Sequence, residues 1–433
     1  MSESENKPNI PEFVPSPEFL ARKKRLDDAM NLRKPDRVPV APLVVHFYPT
    51  RIKGISNKDA MFSPAIAAEA WKDATLRHDW DAAVPWGSLL GAGSMDILGM
   101  KQIKLPGKGL ADDQPFQWVE KEYMMRDEYD EMLSDPNGFA VRKIWPRIST
   151  VLAAVGGMAQ MAPPPLLFLS NAYTLPGLLG EIVSQPPVRE LLRKALELAD
   201  NHEKAKEVAI RYAMEMMSMG FPIPFGAVTY PAFDWISDCF RGMKGSMLDM
   251  YQVPDKLLAA VEMFTPLTIQ GCVMMAEQTH NKWGVFIPMH RGAKGFMSDK
   301  QFAKFYWPCF KALILGLIDA GLTPMPLFEG DYTPRLEYLQ ELPAGKVVGH
   351  FDMVDRKKAK ELIGDTMCFW GNVPASLMCT GTPQQVKDDV KELIDIFGDN
   401  GGLIIDSTMG LPDESKPENV QALTDAVREY GVY

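Results

Sequence analysis

The carboxyl-terminal half of this chain repeats one local pattern five times, and that repetition restricts the fold more than any other feature. Apolar runs at residues 285–289, 324–328, 347–349, 367–371 and 403–406 are each followed by a helical stretch, at 298–320, 333–342, 355–363, 383–397 and 417–430. Short apolar runs alternating with amphipathic helices signal parallel strands joined by crossover helices. Upstream, residues 38–46, 82–86 and 222–227 also read as strands, and residues 166–170 make a ninth candidate. Nine is one too many for a closed barrel. The run 166–170 is therefore placed in the long segment between the second and third strands, roughly residues 87–220, read as an insertion of helices and loops over one face. A doubly wound open sheet is the alternative. It is disfavoured because no GxGxxG or GxxxxGK loop follows any strand. The expected fold is α/β, a (β/α)8 TIM barrel. Residues 1–33 form a proline-bearing arm and an amphipathic helix starting near Pro17, and residues 34–433 form one barrel domain.

Composition narrows the function. The 433 residues carry a net charge of −10, from 46 basic and 56 acidic side chains, so a phosphate backbone is an unsuitable partner. The five cysteines are scattered without a CxxC pair, which argues against a disulfide framework or a cysteine-rich zinc knuckle. The amino terminus is polar and acidic, and apolar runs such as residues 312–318 are too short for a bilayer. The expectation is a cytoplasmic protein with no membrane contact; a homo-oligomer is open. Most of the 27 methionines are expected in the core, the remainder at a pocket or docking face.

In a TIM barrel the residues just past each strand converge on one mouth. Here those residues are His46, Trp86, His290 with Arg291, Glu329 with Asp331 and Tyr332, His350 with Asp352, Asn372, and Asp406 with Ser407. Glu329 and His350 end consecutive strands, so a carboxylate and an imidazole are expected as neighbours on the rim. Such a pair can hold zinc or simply form a hydrogen bond. Two donors alone do not make a metal site.

Several segments resemble the uroporphyrinogen decarboxylase superfamily, which includes corrinoid-linked methyltransferases. They are Gly371-Asn372-Val373-Pro374, Gly381-Thr382-Pro383-Gln384-Gln385-Val386, Gly401-Gly402-Leu403-Ile404 and Pro417-Glu418-Asn419-Val420. The start, Lys34-Pro35-Asp36-Arg37-Val38-Pro39, is similar to the methyltransferase-like branch. The decarboxylases carry an Arg-Gln-Ala-Gly-Arg run where this chain has Val45-His46-Phe47-Tyr48-Pro49, which disfavours porphyrinogen decarboxylation. The coenzyme M branch binds zinc through His-x-Cys and a later Cys, where this chain has Glu329-Gly330-Asp331 and Met409. The branch that demethylates phenyl methyl ethers looks closer. Its pattern ends in Glu, twenty residues and His, matched by Glu329 and His350, although its first Glu falls on Ile314.

The resemblance implies a zinc-dependent O-demethylating methyltransferase. It would move a methyl group from a small donor, an aryl methyl ether by preference, to a corrinoid (cobalamin) supplied by a partner protein. Glu329 and His350 would hold Zn2+, with Asp331, Asp406 or His290 as a third ligand. His290 or Asp331 would supply a proton. His46, Trp86, Arg291, Tyr332 and Asn372 would contact the substrate, inside an aromatic rim that includes Phe47, Tyr48 and Phe328. Other readings stay open: a methylamine, thiol or folate as methyl donor, a decarboxylase, or a non-catalytic corrinoid- or tetrapyrrole-binding protein.

Overall fold

A computed structural model describes residues 13–44, 47–83, 91–160 and 171–433. Six parallel strands pair in sequence order: Ala227–Val228, Gly284–Met289, Thr323–Asp331, Val348–Met353, Cys368–Trp370 and Leu403–Ile404. Backbone hydrogen bonds carry the ring onward. Val40 bridges Ile405 in parallel, with Ala41 N to Ile405 O at 3.1 Å and Ile405 N to Pro39 O at 2.9 Å. Asp81 N then donates to Val40 O at 2.7 Å, and Ala83 N to Pro222 O at 2.9 Å. Residues 39–41 and 81–83 are thus the first and second of eight staves, and Ala227–Val228 is the third. The six paired strands and the described parts of the runs 38–46 and 82–86 stand where eight strands were expected, and the candidate at 166–170 lies outside the described residues.

These segments are strands because helices cover their outer faces while their inner faces pack together. All six residues of Gly284–Met289 are buried, as parallel strands enclosed on both sides require. The crossover helices carry their own start signals. Ser298 and Thr382 each form a capping box, with Gln301 and Gln385, and Asp355 accepts the Lys358 amide ahead of helix Arg356–Ile363. Helix Pro17–Met30 starts from a Ser16 side-chain cap. The fully buried Asp81 joins it to the floor of the barrel by accepting from Arg25, Arg37 and the Val40 amide. Helix Pro254–Gln278 is long and apolar enough to cross a membrane, unlike the runs singled out from sequence. Here it buries Leu257, Ala260, Val261, Cys272 and Ala276 as a crossover helix between the third and fourth staves.

The insertion departs from expectation in one respect. It contains a small three-stranded sheet (Ile103–Pro106, Gly109–Leu110, Gln117–Trp118) besides its helices. That sheet leads into residues 119–124, which are clamped to the segment after the third stave. Tyr123 N and Met124 N both donate to Phe240 O, and the fully buried Arg241 binds Asp249 at 2.6 Å and Glu122 at 2.9 Å. The clamp holds the insertion against one side of the barrel mouth.

Candidate active site

Sequence reasoning expected Glu329 and His350 to meet. The register of their strands separates them. His350 pairs with Leu327, and Glu329 lies two residues further along its strand, inside a register shift between Phe328 and Asp331. Two residues of parallel strand amount to about 6.6 Å along the barrel axis. Each side chain has found a different partner. His350 is fully buried, and its Nε2–H donates to Asp406 Oδ2 at 2.8 Å. Asp406 also accepts the amides of Leu43 at 2.7 Å and Ser407 at 2.6 Å, which leaves Nε2 as the donor. This unit ties the first, sixth and eighth staves beneath the mouth. Burial raises the Asp406 carboxyl, against the lowering effect of its bond to His350.

Glu329 instead faces His290, the residue past the end of the fourth stave, with Oε1 3.5 Å from Nε2. On its other side His290 Nδ1 meets Asp238 Oδ2 at 2.5 Å. Asp238 stands on the helical segment after the third stave, four residues beyond Asp234. The fully buried Asp234 carboxylate accepts the amides of His290 and Arg291, at 3.2 and 3.1 Å, and the Tyr306 hydroxyl at 2.6 Å. It therefore fixes the turn that carries the imidazole. Arg291 donates to Ser237 Oγ at 2.9 Å and lies 2.8 Å from Asp238 and 3.4 Å from Glu120 of the insertion.

The electrostatics follow from this crowding. Burial pushes the Glu329 carboxyl up to about 7; His290 opposes the rise, while Asp234, Asp238 and Asp352 add to it. Burial would lower His290, but its bond to Asp238 and the surrounding carboxylates outweigh that and raise it to about 9. Asp234 is raised by burial and by Asp238. At neutral pH the mouth thus holds an imidazolium beside a carboxyl that is substantially protonated. Both side chains remain reachable, Glu329 at 26% and His290 at 29% exposure.

The other expected residues divide. Arg291 and His290 belong to the cluster. Asp331 does not supply a proton: despite some burial, the Thr333 amide and Lys294 hold its carboxyl below the usual range, so it stays ionised. Tyr332 is buried beneath the turn at Gly292, where a Cβ would stand 2.4 Å from its hydroxyl, so it makes no substrate contact. Phe47, Tyr48 and Phe328 are fully buried core and form no rim. Asn372 is nearly buried and spans loops, accepting from Arg356 and donating to Asp352 O, beside a cavity of about 520 Å³ at the ends of the last three staves. His46 and Trp86 lie outside the described residues.

The zinc expectation fares poorly on donor chemistry. His350 Nε2 is bonded to Asp406 in a sealed layer while its Nδ1 has no hydrogen-bond partner among the described residues, and both nitrogens of His290 face carboxylates. Cys239 is pushed up to about 12, chiefly by burial and then by Asp238, so it is a thiol and not a thiolate ligand. Among the described residues no group of three or more His, Cys, Asp and Glu is disposed to hold a metal ion. The described residues thus supply the Glu329 carboxylate and the His350 imidazole without a third donor grouped beside them. Asp234 and Asp238 were missed from sequence, though an Asp-x-x-x-Asp spacing just past a strand was a signal for them.

The family model described as uroporphyrinogen decarboxylase (URO-D) matches residues 184–430, more than half of the chain. The chain belongs to the URO-D family. Among the similar curated proteins is uroporphyrinogen decarboxylase from Aromatoleum aromaticum, 22% identical over 88% of this chain and 87% of that protein. The corresponding enzyme from Magnetococcus marinus is 25% identical over 57% and 70%. A methyltransferase from Methanosarcina mazei has a similar fold, with a TM-score of 0.60 at 15% identity, covering 94% of this chain and 98% of that one. The matched region contains His290, Glu329, Asp234 and Asp238, so the acid cluster sits on staves this URO-D family member shares with its relatives.

Proposed function

We propose that the protein is a methyltransferase that removes a methyl group from the oxygen of a small ether, preferably an aryl methyl ether. The observation that carries this reading is the Glu329–His290 pair, a carboxyl and an imidazole 3.5 Å apart at an open barrel mouth, with burial raising the carboxyl to about 7. An ether oxygen is a poor leaving group because it departs with negative charge. A positioned acid with a pKa near the working pH lowers that barrier, typically by a factor of about 10²–10⁴. In the step, the electron pair of the O–CH3 bond stays with oxygen, which takes the Glu329 proton, and His290 restores that proton from solvent. The methyl group passes to a two-electron nucleophile, which a cobalt(I) corrinoid on a partner protein would supply. A corrinoid brought by a partner needs accessible reacting groups, and the exposure of Glu329 and His290 suits that need.

Charge favours a neutral donor. Glu120, Asp234, Asp238, Glu329 and Asp352 surround the site, whereas Arg291 already has two acidic partners. A substrate bearing several carboxylates would find no uncommitted guanidinium among the described residues there. A second reading is decarboxylation, favoured by the URO-D relatives, in which the same acid would protonate carbon after CO2 leaves. The test mixes the protein, a reduced corrinoid carrier and a panel of methoxylated aromatics, and follows the cobalt absorption spectrum together with phenol release. Phenol formation in the wild type, and its loss in Glu329→Gln, supports methyl transfer. No phenol from any ether, with CO2 released from a carboxylated substrate, would move the assignment to the second reading.

A further inference from the structure

Tyr230 follows the third stave and packs against His290 of the acid pair. Its ring centroid lies 5.5 Å from the His290 imidazole, and Trp235 packs edge-on behind it, 5.3 Å away. Tyr230 is half-buried, unlike Phe47, Tyr48, Phe328 and Tyr332, which are sealed in the core. Its hydroxyl makes no hydrogen bond among the described residues, while Asp234 has Tyr306, Arg291 has Ser237 and Asp238, and His290 has Asp238. A phenol held edge-on by Trp235 and tilted against His290, its hydroxyl without a hydrogen-bond acceptor among the described residues, is a donor free to meet a ligand oxygen. Burial and the nearby Cys239, Asp238 and Glu329 push the phenol up to about 12, so it keeps its proton across the working range.

We propose that Tyr230 is a catalytic residue whose hydroxyl donates a hydrogen bond to the departing oxygen of the methyl donor, and that Trp235 positions its ring. The proposal rests on the methyl-transfer reading, which makes a phenol the product. No proton leaves Tyr230. As the O–CH3 bond breaks and its electron pair settles on oxygen, the Tyr230 hydroxyl shares that growing charge while Glu329 delivers the proton. A donor aimed at an oxygen that becomes charged contributes more in the transition state than in the bound ether. It should therefore act on kcat more than on KM.

The test is binding of catechol, the demethylated product of 2-methoxyphenol, by titration calorimetry, without corrinoid, to the full chain and to Tyr230→Phe. The phenylalanine variant keeps the ring and loses only the hydroxyl. The expected result is saturable binding to the wild type, weakened about tenfold in Tyr230→Phe, as removal of one hydrogen-bond donor to a ligand oxygen predicts. Turnover of a methoxylated aromatic should fall at least tenfold in kcat with KM nearly unchanged. Trp235→Ala should weaken phenol binding as well, while its melting curve shows whether the barrel is intact. Equal binding by wild type and Tyr230→Phe, or no saturable binding by the wild type, overturns the proposal. A wild type that binds the phenol through Tyr230 yet demethylates no ether leaves the hydroxyl's role as an oxygen donor standing and refutes the ether reading instead.

Discussion

Replacing Glu329 with glutamine should abolish turnover and stabilise the protein, and the two effects have one cause. In the fold this carboxyl is raised from its ordinary 4.5 to about 7, so ionising it costs more than in the unfolded chain. A carboxyl raised on folding contributes its full stability below its unfolded value and loses it as pH rises through the folded value. The loss therefore runs between about pH 4.5 and pH 7. That interval corresponds to about 3 kcal/mol. With 26% of the side chain exposed, water screens part of this, and about 2 kcal/mol is expected to be measurable. Glutamine keeps the shape and cannot ionise. Calorimetric melting at pH 5 and pH 8 is the assay, and the stability of E329Q relative to wild type should shift by about 2 kcal/mol in the variant's favour between those values. Activity should fall by a factor of about 10²–10⁴ at both. A stability difference that is the same at both pH values, or an active variant, would refute the reasoning that Glu329 is a buried acid.

Three other outcomes are expected from the same geometry. His350→Ala should cost about 3–5 kcal/mol in chemical denaturation, because it leaves the buried Asp406 carboxylate without its imidazole partner, and should leave the metal content of the purified protein unchanged. Asp234→Ala strips acceptors from two amides and the Tyr306 hydroxyl, so it should destabilise by about 1–3 kcal/mol and lower kcat beyond the stability effect; an assay under folded conditions, supported by circular dichroism, checks this. Arg241→Met should release residues 119–124 from the mouth, seen as faster amide exchange at Tyr123 and Met124, because Glu122 and Asp249 lose the buried guanidinium that joins them.

The barrel was legible because its signals are local. Five strand–helix repeats, the Ser298, Thr382 and Asp355 caps, and the apolar run of Gly284–Met289 are each set by neighbours within a few residues. The site was legible only in part. His290, Arg291 and Glu329 were found because strand ends in a parallel barrel face one mouth. Asp234 and Asp238 escaped because they sit on the helical segment past a third stave of only two paired residues, Ala227–Val228, too short a run to mark where the stave ends.

By itself the sequence determined which segments become staves and which residues stand at their ends, since periodicity and capping act over a few residues. Only the tertiary structure decided who meets whom at the mouth. Strand register placed His350 one layer below Glu329, beside Asp406, and the packing of the helical segment after the third stave on the turn past the fourth brought Asp238 and His290 together beside Glu329. A shift of two residues along a strand leaves its local pattern unchanged yet moves a side chain by about 6.6 Å, beyond hydrogen-bond reach. Chemistry depends on that distance, and periodicity does not record it.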